Sequence, residues 1–177
     1  MDYKTKPVKR KQLREYSKSL RRMFNIPLTG AFPVLEALER LSDVFPGSNF
    51  EIVEDDYLPL SHMAECSRNE TGGYTIRIKE SIYNGAYEKS IGAYRGFICH
   101  EICHVFLFSY GYVPVENKVY RDGELPAYCS VEWQTKALCA ETMIPYDESS
   151  ILNEDLVESF YNVSKSFAKA RFKCERR

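Results

Sequence analysis

The residues best equipped for chemistry lie in one short run, His100-Glu101-Ile102-Cys103-His104, a His-Glu-x-x-His sequence that holds two of the chain's three histidines. On a helix, residues four apart share a face one turn from each other, so both imidazoles can meet a single ion. Zinc, held about 2.0–2.1 Å from each ring nitrogen, is the natural fit, and Glu101 on the adjoining face can reach a water at the open position. That geometry makes a water-activating site. Without an ion, two histidines and a glutamate on an otherwise apolar helix would be costly to bury.

Such a site needs a third protein ligand. His62 is the histidine that remains, in a loop or strand upstream, and the downstream carboxylate candidates are Glu116, Asp122, Glu124, Glu132 and Glu141. Glu132 and Glu141 fall on one predicted helix. Nine positions at about 100° per residue put them on opposite faces, so only one of the two can face the metal, and helical geometry does not choose between them. Cys99 and Cys103 are also four apart, but their face is rotated by about 100° from the histidines, and small buried thiols are what we expect of them.

The elements that must position these residues follow from apolar spacing. Leu13, Tyr16, Leu20 and Phe24 recur at helical intervals after Pro7, and Val34, Leu35, Leu38 and Leu41 do so between Phe32 and Phe45, before Pro46-Gly47 stops the pattern. Residues 50–53 read as a strand and residues 74–79 alternate with period two after Thr71-Gly72-Gly73, with a middle strand near residues 60 to 66. From Tyr87 to Tyr110 the chain is helical and strongly apolar, ending at Gly111, and this long helix should be the buried centre. An irregular stretch over 111–127 precedes a helix from Cys129 to Ile144, cut by Pro145. A last helix is expected after Asn153, with Leu156, Phe160, Val163 and Phe167 on one apolar face. Val163-Ser164 also fits the turn of a helix-turn-helix, beside the simpler reading of an amphipathic closing helix packed on the domain. The order predicts an α+β fold, a mostly helical domain with a small β-sheet.

Composition bounds the rest. The 177 residues, 44% hydrophobic and 14% aromatic, suit one folded domain and exclude a disordered chain. Apolar stretches such as Val105 to Phe108 fall far short of the roughly 20 residues that span a bilayer, so no membrane association is expected. The first 22 residues are basic and lack an apolar segment of the secretory kind, which leads us to expect a cytoplasmic protein whose Cys66, Cys99, Cys103, Cys129, Cys139 and Cys174 are thiols. The net charge of −1 hides an asymmetry. Residues 1–22 carry nine Lys/Arg against Asp2 and Glu15, a net of +7; residues 23–164 carry −13, and residues 165–177 carry +5. A basic arm could meet nucleic acid, but such a run is more often a solvated helix face that steadies its own acidic body, and direct nucleic-acid binding is not expected.

His100 to His104, followed by Glu132-Trp133-Gln134-Thr135-Lys136-Ala137-Leu138-Cys139-Ala140-Glu141-Thr142-Met143-Ile144-Pro145, resembles the ImmA/IrrE family of zinc metallopeptidases. That family carries His-Glu-x-x-His and then a Glu-x-Gln/Glu-Ala-Asn/Asp-x-Phe-Ala-x-x-Leu-Leu-x-Pro helix. Matching by the terminal proline puts Glu132 at the third-ligand position and Glu141 on the packing side. Pro33 to Leu38, Arg95 to Cys99, and Phe160 to Phe172 resemble further family segments, so the likeness spans roughly residues 8 to 172. Thr135-Lys136 depart from the family's Ala-Asn/Asp. The Asn/Asp is placed to hold a zinc-binding histidine, and a Lys there removes an acceptor, so either Lys136 points to solvent or metal binding is weakened.

The resemblance implies a zincin-like metallopeptidase core over residues 23–150, a basic N-terminal arm or helix over 1–22 and a C-terminal helix over 151–177. It implies Zn2+ on His100, His104 and Glu132, with Glu101 as the general base. It also implies an endopeptidase whose protein substrate is a helix-turn-helix repressor of a mobile element or stress locus. The oxyanion donor stays open among His62, Tyr110, Tyr112, Tyr120 and Tyr128. The alternative is a non-catalytic regulatory module that binds protein or DNA, its metal structural or absent, and Lys136 is the residue that favours it.

Overall fold

The first helical repeat becomes α1, Arg10–Met23, in the computed structural model, which describes residues 2–121, 123–149 and 154–175. Asp122 and the side chain of Cys174 lie outside the described residues. Leu13, Leu20 and Phe24 are fully buried, as their spacing requires. The basic N-terminal segment packs into the body. Ahead of α1, strand β1 (Asp2–Tyr3) pairs antiparallel with β5 (Val119–Tyr120), and Val8 is buried. The pattern over 32–45 forms two helices, α2 (Val34–Glu39) and α3 (Leu41–Val44). They part at Arg40, whose guanidinium donates to the Phe24 carbonyl at 2.6 Å.

Strands β2 (Asn49–Val53), β3 (Ala64–Arg68) and β4 (Tyr74–Lys79) form one sheet in the order β2-β4-β3. β4 runs parallel to β2 and antiparallel to β3, with Ile76 opposite both Phe50 and Cys66. The strand in the middle of the sequence is therefore an edge of the sheet. β4, with Ile76 and Ile78 buried, is its centre.

The long helix expected over 87–110 is two helices, α4 (Glu80–Glu88) and α5 (Gly92–Ser109). Ser90 takes a left-handed φ of 51°, which breaks the ladder, and α5 begins against the backbone of the chain's end: a Cβ at Gly92 would lie 2.5 Å from the carbonyl carbon of Val163. α5 stops where the sequence says. Gly111 has φ 76°, its N–H donates to the Phe108 carbonyl at 3.0 Å, and the Tyr112 N–H donates to the Leu107 carbonyl at 2.9 Å, the double closure of a Schellman motif. α5 is buried on nearly every side, packed between the sheet, α2 and α6 (Val131–Met143).

The chain then forms α7 (Tyr146–Ser149), α8 (Glu154–Tyr161) and α9 (Lys165–Glu175). The single closing helix of the sequence reading is broken by Asn162, at φ 54°. The apolar face of its first half is also turned by one residue: Val157 and Tyr161 are buried, whereas Leu156 and Phe160 are about half exposed. The fold is α+β. Among the described residues no helix is long and apolar enough to cross a membrane.

Candidate metal centre

α5 and α6 bring three side chains to one point. His100 and His104, one turn apart on α5, present their Nε2 atoms 3.1 Å from each other. From the first turn of α6, Glu132 places Oε2 3.4 Å from His100 Nε2 and Oε1 3.3 Å from His104 Nε2. One oxygen of Glu101 lies within 4.8 Å of a ring nitrogen of each histidine. His100, Glu101 and His104 form a group that can hold a metal ion, and Glu132 stands beside it.

Glu132 stands there because the start of α6 is tied down. Ser130 caps the helix by accepting from the Trp133 N–H at 2.8 Å, and its hydroxyl bonds to Asp2, whose other oxygen accepts from the Glu132 N–H at 3.1 Å. The Asp2 carboxylate also suits the positive end of the helix dipole. Buried Gln134 donates to the carbonyls of Lys6 and Tyr128 at 2.9 and 2.8 Å, fixing the chain on either side of the cap.

Thr135 settles the tautomer of His104. Its hydroxyl donates to the Val131 carbonyl at 2.8 Å, so toward His104 Nδ1, 3.2 Å away, it can only accept. Nδ1 therefore carries a proton, the arrangement that leaves Nε2 free for an ion. Lys136 points outward, its side chain 70% exposed and its Nζ 4.0 Å from Glu132. Thr135, one residue before Lys136, supplies an acceptor to His104.

The electrostatics suit a cation. Burial opposes ionisation of Glu132, but the two imidazoles facing it prevail and hold its carboxyl well below the usual range. Burial likewise pulls the His100 pKa down, and Glu132 and Glu101 outweigh that and raise it. Near Glu101, Cys66 of β3 has its thiol pushed up, by burial first and then by that carboxylate. An apolar pocket of about 590 Å³ opens beside His100, lined by Phe97, Trp133, Ala137 and Phe167.

The other candidates are engaged elsewhere. Glu116 accepts from the Tyr120 hydroxyl at 2.6 Å, and Glu124 accepts from the Arg121 N–H. Glu141 is buried among Arg10, Arg14 and Arg171. His62 is half exposed beside Glu65. Tyr110 donates to Met23, Tyr112 bonds to Tyr16, and Tyr128 keeps an exposed ring. Cys99 and Cys103 meet Cys139 of α6 rather than the histidines. Sequence reasoning missed Thr135, Asp2 and Cys139. The seven-residue interval from Glu132 to Cys139, which keeps both on one helix face, was the available signal for the last.

No family model matches the chain, and no curated protein matches it.

Proposed function

We propose that the protein is a zinc-dependent endopeptidase of narrow specificity, with the ion on His100, His104 and Glu132 and with Glu101 as general base. The observation that carries this reading is the convergence of three side chains: the two ring nitrogens stand 3.1 Å apart, and each has one of the two Glu132 oxygens 3.3–3.4 Å away. Atoms about 2.0–2.1 Å from a tetrahedral zinc stand about 3.3 Å apart. Bound zinc would supply Lewis-acid polarisation of the scissile carbonyl and lower the pKa of water to about 7.

The chain's own residues do the rest. Glu101 accepts the proton of the attacking water and returns it to the leaving amine. The pocket beside His100 seats a large apolar side chain of the substrate. Strand β3, an edge of its sheet, offers backbone groups to an extended peptide. Thr135 keeps His104 in the metal-binding tautomer, and Lys136 is exposed with its ammonium at the edge of Glu132 rather than between the donors, which supports an active site over a purely regulatory module.

The partner we propose is a helix-turn-helix repressor, as the resemblance implies. An acidic stretch of net −13 over residues 23–164 complements a basic, DNA-binding protein. A cytosolic setting keeps the six thiols reduced. The test compares new protein N-termini in cells expressing the wild type and Glu101→Gln. The variant should keep one zinc per chain and lose cleavage by about 10²-fold or more. Termini unique to the wild type should fall within such a repressor. Identical termini in the two cell lines would refute the assigned base.

A further inference from the structure

The His100, His104 and Glu132 cluster leaves a second group of metal-ligating side chains unused. Cys99 and Cys103 of α5 and Cys139 of α6 are fully buried, and their sulfurs all lie within 4.8 Å of one another. The arrangement repeats the plan of the histidine site: two ligands one turn apart on α5 and a third from the same face of α6, seven residues beyond Glu132. We propose that these three cysteines form a second ion site that takes a thiophilic ion through three sulfurs, independent of the peptidase reading.

Three sulfurs about 2.3 Å from one ion stand at most about 4 Å apart, compatible with a cluster whose sulfurs all lie within 4.8 Å. The surroundings select a soft ion. Both α5 cysteines face the interior, and beside the three sulfurs the Gly96 carbonyl, 3.8 Å from Cys139 Sγ, is a single oxygen, so the site offers mainly the thiolates that soft ions prefer. The site also has a route in. Cys139 lines the 590 Å³ pocket that opens beside His100, so the approach to the cluster is from the α6 side, with Cys99 and Cys103 behind it.

Binding replaces each S–H bond with a sulfur–ion bond and sends the proton to solvent. For arsenite the balance is As(OH)3 plus three thiols giving As(SR)3 plus three waters, with no change of oxidation state. The three thiolates bring three negative charges. A trivalent centre leaves the buried site neutral, while a divalent ion leaves one negative charge, so the trivalent ion is favoured where water is excluded.

The test uses the full-length protein with Cys66, Cys99, Cys103, Cys129, Cys139 and Cys174 intact, with and without added zinc, arsenite and Cd2+ as separate probes, and X-ray absorption at the arsenic or cadmium edge. One arsenic per chain with three sulfur neighbours is expected, and so is the loss of three titratable thiols after unfolding. Cd2+ with three sulfurs would extend the site to divalent ions, and Cd2+ left unbound would restrict it to trivalent ones. Cys139→Ser should weaken arsenite binding by at least about 10-fold, a loss seen even for outer partners of a metal site. Cys66→Ser/Cys129→Ser/Cys174→Ser should bind as the wild type does. Arsenic with one or two sulfur neighbours, binding unchanged by Cys139→Ser, or no uptake of either probe would overturn the proposal.

Discussion

One hydroxyl determines which nitrogen of His104 meets an ion, so the metal affinity of the site is exposed to a substitution that changes no ligand. Thr135→Val removes the acceptor from His104 Nδ1 while keeping the side chain's shape. Zinc affinity should fall about 10- to 100-fold, Thr135→Ser should restore it, and competition with a chromophoric chelator measures both. Proton linkage supplies a second test at this scale. In the metal-free protein, His100's raised pKa means that its share of the pair with Glu132 is complete below about 6.5 and is lost as pH rises through the raised value. Glu132's depressed pKa means that its share is complete above about 4.3 and is lost as pH falls through the depressed value. The thermal midpoint of the metal-free wild type should therefore exceed that of Glu132→Gln most between about pH 4.3 and 6.5, and the gap should narrow above that window; a gap that stays level to pH 9 would contradict the pairing. The two histidines were legible because four residues make one helical turn. Glu132 needed the resemblance to separate it from Glu141. Thr135 was illegible because its partner is 31 residues away in sequence and its role depends on how α5 and α6 cross.

The elements were legible wherever a single face was buried. α1, β4 and the C-terminus of α5 follow from apolar spacing and from Gly111, and they lie where those signals put them. Apolar periodicity failed where a backbone contact broke a continuous pattern. Residues 87–110 read as one helix because nothing in their composition records that Gly92 lies against the backbone of Val163, a contact between segments that the sequence separates widely. The closing segment misled for the same reason: its turn at Asn162 swings α9 back onto the start of α5, and the buried face of α8 is set by that packing. Gly92→Ala tests the contact. The added methyl meets main chain rather than a flexible side chain, so urea denaturation should show a loss of about 1–3 kcal/mol. Gly72→Ala, where a Cβ meets nothing within 4 Å, separates crowding from backbone strain: its cost should come from its φ of 86° alone.

At the scale of the whole molecule, the basic ends of the chain are used inside the fold. Glu141 is almost fully buried on α6, and it holds Arg10 at 2.8 Å, Arg14 at 3.4 Å and Arg171 at 2.9 Å, which joins both termini to the helix that carries Glu132. Lys4 and Lys18 reach Glu116 and Asp147 in the same way, at the surface. The charge asymmetry was plain in the sequence, but its target was not, because a run of lysines and arginines looks the same whether it faces nucleic acid or its own body. Glu141 is the residue on which this closure depends. Glu141→Gln leaves the buried Arg171 guanidinium facing a neutral amide, with Arg10 and Arg14 partly open to water, and removing one partner of such a buried group costs about 3–5 kcal/mol. The variant's urea midpoint should drop accordingly, while at low temperature it should still bind one zinc per chain, since no metal donor has been touched. If stability and zinc binding fell together even under folded conditions, the position of Glu132 would depend on the arginine cluster as well as on Ser130 and Asp2. A loss below about 1 kcal/mol, the range of exposed pairs, would mean that the termini close onto the body without help from the Glu141 cluster.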